Sequence, residues 1–297
     1  MTTMTSNTKT SPGMAAAGRR ALQWRLLLLW IVILLLPTAM VTLPLWQIFS
    51  EQLDHTLHAA DLAQRMTLNG AGDLVGSIMT DGATLKSAGM LAGVFTVLAS
   101  PFLNGMAVTA ARSAEAPGFA TLIQGGAAEY WRMLRMLIVS LIPLAVAVGI
   151  GSAATDAVTK FGEHAILRSS ADHVGLLGQI ALGLLMLLAL ASVDAGRAQF
   201  ALSTRKRSAW KAWWRGCKLI ARQPLATLGS YVVLSLVGLI VFAVFVWLRT
   251  NVPHVSVIGF IGGLVFTQAA AATLAWIRGA RLFALADIAK AQAGATY

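Results

Sequence analysis

Two histidines, His55 and His58, stand one helical turn apart in a polar stretch that also carries Glu51 and Asp54. Residues three or four apart share a face of a helix, so two imidazoles and a carboxylate would converge there on one metal ion. The HExxH spacing is absent, and a solvated polar face explains the same pattern. All five histidines, His55, His58, His164, His173 and His254, fall in connecting segments of one class. Because imidazole titrates near neutral pH, that placement suggests a proton or metal sensor.

A second constellation is cationic. Lys211, Arg215, Lys218 and Arg222 recur at i, i+4, i+7 and i+11, while Trp210, Trp213, Trp214, Cys217 and Ile220 fill the adjoining face. Such a helix lies flat at a membrane interface, with indoles at headgroup level and cations reaching lipid phosphates. Attraction to an anionic leaflet adds about 1 kcal/mol per basic residue. The expected ligand is an anionic phospholipid headgroup, and the plainer reading is an anchor that fixes topology.

Neutral polar residues inside apolar runs form a third set. Asn104, close to Pro101, and Gln268 are candidates for the wall of a polar cavity. Thr96, Ser100, Thr267 and Thr273 are expected to make hydrogen bonds between helices, and the GxxxG pairs Gly89/Gly93 and Gly259/Gly263 to allow close packing. Asp194 lies near Arg197 and is expected to form an interfacial ion pair. No phosphate-binding loop, nucleophile elbow, nucleotide-binding glycine pattern or cysteine metal knuckle occurs. Catalysis is not expected, and no cofactor is implied.

The elements that must position these residues are membrane spans. With 57% apolar and only 12% charged residues, the chain is far from the soluble norm of about a quarter charged. Six apolar runs, at about 26–48, 88–111, 134–154, 174–193, 225–248 and 255–277, each reach the roughly 20 residues that cross a bilayer. Backbone groups in lipid must be satisfied within their segment, so these are helices. The fold class is therefore all-α: a polytopic six-helix membrane bundle, 19–290, with interfacial amphipathic helices. Residues 1–18 and 291–297 read as tails, the first of them loose and rich in Thr, Ser and Ala.

Orientation follows from the basic residues. The segments up to Arg25, from Arg112 to Arg135, from Asp194 to Arg222 and from Arg278 onward hold 18 of the 23 Lys and Arg residues. By the positive-inside rule these segments, and both termini, face the cytoplasm. A bacterial inner membrane is the expected location. The same bias accounts for the net charge of +11, which in a soluble chain would suggest nucleic acid; no nucleic-acid partner is expected. The first run is too long for a signal peptide, and no small-x-small cleavage site follows it. Cys217 has no second cysteine with which to pair.

Two units repeat. Ala110, Ala111 and Arg112 are followed by Tyr130, Trp131 and Arg132, and Ala195, Gly196 and Arg197 by Trp213, Trp214 and Arg215. Units of the same orientation imply a parallel repeat about the membrane normal. These small-small-Arg exits and aromatic-basic returns, over Arg19 to Lys290, resemble bacterial multipass proteins of unassigned function. They also resemble the membrane domain that precedes the catalytic barrel of some glycerophosphodiester phosphodiesterases. That barrel follows the membrane domain in those enzymes, and nothing like it lies between Lys290 and Tyr297, so no catalytic residue carries over. The resulting expectation is a non-catalytic scaffold or partner subunit that engages anionic lipid or another membrane protein. The alternative is a transporter or channel for a small or lipidic solute.

Overall fold

The computed structural model describes residues 14–53, 82–113, 115–163, 168–202, 208–252 and 257–294. Over these residues the chain is 95% helical and has no strand. The eight described helices are α1 (Met14–Ala21), α2 (Trp24–Leu53), α3 (Gly82–Arg112), α4 (Phe119–Glu163), α5 (Arg168–Leu202), α6 (Ala209–Arg222), α7 (Pro224–Asn251) and α8 (Val257–Gly294). Six of them, α2 to α5, α7 and α8, are long and apolar enough to cross a membrane. The protein is thus a multi-pass, all-helical membrane protein.

Several helices run on past the expected spans. α4 is continuous over 45 residues, about 68 Å at 1.5 Å per residue and more than twice the hydrocarbon thickness. The sequence suggests a separate interfacial segment before residue 134; no helix breaker intervenes, and the segment fuses to the span. α8 likewise continues for 17 residues beyond Ile277, to Gly294. α1 begins at Met14 and buries Ala17 and Gly18, so the last five residues of the expected loose tail are helical.

The chain divides into two compact units, 28–100 and 1–27 with 101–297. The smaller holds most of α2, with Pro37 and Pro44 inside the helix, and α3 as far as Ser100. Two of its described hydroxyls bond within their own helix: Thr38 donates to the Leu34 carbonyl at 2.8 Å, and Thr96 to that of Ala92 at 2.7 Å. Thr267 and Thr273 in α8 do the same toward Gly263 and Ala269, each at 2.8 Å. For Thr96, Thr267 and Thr273, bonds within the turn take the place of the expected interhelical bonds, because a hydroxyl can reach its own i−4 carbonyl. Among the described residues, a Cβ added at Gly89 or Gly93 would meet nothing within 4 Å.

In the larger unit, α4 packs on α5, α5 on α6, α7 on α8, and α8 on both α1 and α5. Its densest core lies toward the Arg- and Lys-rich helix ends, the basic end. Leu103, Met106, Val108, Leu122, Met136, Phe200, Leu219, Phe283 and Leu285 are almost fully buried there, whereas Ile138, Leu141, Leu184, Ile240 and Phe260 farther along the spans are exposed. Lipid accepts apolar surface, so burial is compulsory only where water begins.

Glycines let the helices of this core touch backbone to backbone. A Cβ on Gly105 of α3 would lie 2.9 Å from the Gly126 oxygen of α4, and one on Gly216 of α6 only 2.5 Å from the Gly196 nitrogen of α5. Both halves of the sequence repeat therefore fold a returning helix onto the preceding span through a glycine contact.

Candidate anion-binding groove

α6 starts at Ser208, whose hydroxyl accepts from the Lys211 N–H at 3.4 Å. It stops at Gln223, just before Pro224 opens α7. Ala209, Ala212, Gly216 and Leu219 are its buried residues, spaced as one helical stripe. The stripe that packs is thus mostly of small residues, and the aromatic residues lie beside it. Small side chains admit the backbone of α5, and three tryptophans could not fit there. Trp213 turns partly inward, its Nε1 donating to Ser192 Oγ at 3.1 Å, while Trp210 and Trp214 stay half-exposed, at 50% and 53%. Cys217, beside this stripe, is partly buried, which pushes its thiol pKa up by desolvation.

The remaining sector is cationic. Arg215, Lys218 and Arg222 line a groove of about 230 Å³ closed by Gln199 and Leu202 of α5 and by Ala289, Gln292 and Ala293 of α8. A second, shallower hollow of about 530 Å³ is lined by Trp210, Lys211, Trp214 and Arg215. Arg215 belongs to both. The two hollows thus bring together all four cations singled out by the sequence, with no acidic side chain in either wall.

Six other basic residues of the bundle differ from these cations in having internal partners. Arg112 donates to Glu129 at 2.7 Å, and Arg132 to both Glu129 oxygens at 2.9 and 2.6 Å; the guanidinium of Arg132 also lies 4.6 Å over the Phe200 ring. Arg112 and Lys290 further satisfy the carbonyls of Phe200 and Ala111 near the ends of α5 and α3, where cations are favoured by the helix dipole. Arg197 pairs with Asp194 at 2.8 Å, Tyr231 donates to the same carboxylate at 3.3 Å, and Arg281 stacks on Tyr231 at 4.6 Å. Arg20 pairs with Asp287 at 2.9 Å. Among the described residues, by contrast, Lys211, Lys218 and Arg222 make no side-chain hydrogen bond or ion pair, and Arg215 makes only a bond to the Lys211 carbonyl at 3.1 Å.

The other sequence candidates stand apart from this site. Asn104 and Gln268 are partly buried and line neither hollow of α6. His55 and His58 lie outside the described residues. Within those residues, no group of three His, Cys, Asp or Glu side chains is placed to hold a metal. The groove also has members that the sequence reading missed, Gln199 and Gln292. Their one signal was the unbroken Ala-rich helical run after Ile277, which carries α8 far enough to form a wall.

No family model, curated protein or solved structure matches the chain.

Proposed function

We propose that this is a non-catalytic integral membrane protein whose basic end holds anionic phospholipid headgroups in the groove between α5, α6 and α8. It acts as a scaffold or partner subunit at the cytoplasmic face of a bacterial inner membrane, with both termini inside. The observation that carries this reading is the division among the cations. Six basic residues, Arg20, Arg112, Arg132, Arg197, Arg281 and Lys290, are engaged with carboxylates, carbonyls or aromatic rings of the bundle. Lys211, Arg215, Lys218 and Arg222 line an open site that contains no acid. Side chains left unpaired beside exposed tryptophans suit phosphates at headgroup depth, where both classes of group are favoured.

The test replaces Lys211, Arg215, Lys218 and Arg222 by Gln and measures anionic lipid co-purifying with the protein. A severalfold drop relative to wild type is expected. Unchanged anionic lipid would reduce the four cations to topology signals.

A further inference from the structure

The two hollows of α6 are successive stations along one helix. Lys211 and Arg215 form one i, i+4 pair and Lys218 and Arg222 a second, their midpoints about 10 Å apart along the axis at 1.5 Å per residue. Arg215 lines both hollows, so they are neighbours on α6. A single phosphodiester carries one negative charge and would engage one pair, leaving the other unanswered.

We infer that the site takes a lipid bearing two phosphodiesters joined by a short linker, such as a diphosphatidylglycerol, one phosphate at each cationic pair. This rests on the groove being an anionic-lipid site as proposed above. The long, flexible stems of Lys and Arg absorb the difference between the linker and the spacing of the pairs. Joining two phosphates makes the second contact intramolecular, so the linked ligand outcompetes two separate ones without any new kind of contact. Exposed Trp210 and Trp214 beside the first pair place that phosphate at an interface of lipid and water, which a soluble diphosphate would not require.

The experiment uses the full chain in phosphatidylcholine nanodiscs doped with either diphosphatidylglycerol or phosphatidylglycerol at matched phosphate, with protein-bound lipid counted by native mass spectrometry. Wild type is expected to retain the two-phosphate lipid roughly tenfold or more over the one-phosphate lipid. The paired variants K211Q/R215Q and K218Q/R222Q should each lose that preference while still holding phosphatidylglycerol through the remaining pair. The charge-keeping variant K211R/K218R should retain the preference, which separates loss of charge from misfolding. Equal retention of the two lipids by wild type would overturn the two-phosphate assignment and leave the anionic-lipid site standing. Retention of neither above phosphatidylcholine would overturn both. Loss of the preference on adding inorganic pyrophosphate would assign the site to a soluble diphosphate and overturn its assignment to lipid.

Discussion

The guanidinium of Arg112 donates twice to the backbone carbonyl of Phe200, at 3.2 and 2.6 Å, while its Nη1 holds Glu129 at 2.7 Å. One side chain from the end of α3 thus ties α4 to the last turn of α5. Glu129 is buried and also holds Arg132, so one carboxylate answers two cations. Removing one member of a buried pair leaves uncompensated charge, which costs about 3–5 kcal/mol. Glu129→Gln should therefore lower the detergent melting temperature by several degrees, followed by circular dichroism. An unchanged melting temperature would mean that water screens the cluster.

The contact between Gly216 and Gly196 predicts strong dependence on size. Gly216→Leu should displace α6 and sharply reduce the yield of monodisperse protein in size-exclusion chromatography, because the new side chain meets backbone rather than a flexible tip. Gly149→Ala, at a position with nothing within 4 Å, is the control. It should be neutral or stabilise by up to about 1 kcal/mol, the helix-propensity difference.

Cys217 supplies a pH-dependent prediction. Burial favours the neutral thiol and pushes its pKa above the ordinary thiol range, so the thiolate, the reactive form, is scarce at neutral pH. Alkylation by iodoacetamide should be slow at pH 7 and rise about tenfold per pH unit through pH 9. Unfolding in denaturant should accelerate it at fixed pH. Fast labelling at pH 7, with no gain on unfolding, would place the thiol in water.

Asn104 and Gln268 discriminate a scaffold from a transporter. In a Cys217→Ser background, cysteines introduced at either position should resist a membrane-impermeant maleimide from both sides, since both are partly buried within apolar spans. Labelling from one side would establish a water path through the bundle and favour a conducted solute.

Much of this architecture is readable from residue types, and the exceptions have physical causes. Hydropathy alone reveals the six spans, because lipid demands uninterrupted apolar helix. The ion pair Asp194–Arg197 and the pairing of Glu129 with Arg132 follow from i, i+3 spacing, and both form, at 2.8 and 2.6 Å. The buried side of α6 is harder to read, since hydrophobicity ranks Trp213, Trp214 and Ile220 above Ala212 and Gly216. Close approach of two backbones decides in favour of the small residues. The groove is harder still: its cations are periodic and visible, but Gln199 and Gln292 reach it only because α5 and α8 run past the expected span ends.

A core confined to the basic end has an energetic consequence. Among the described residues, the distal halves of α4, α5, α7 and α8 hold few buried side chains, so contacts with lipid there take the place of contacts between helices. A truncation of equal size should therefore cost more stability at the basic end, where it opens a cavity, than on the distal turns, where lipid fills the space.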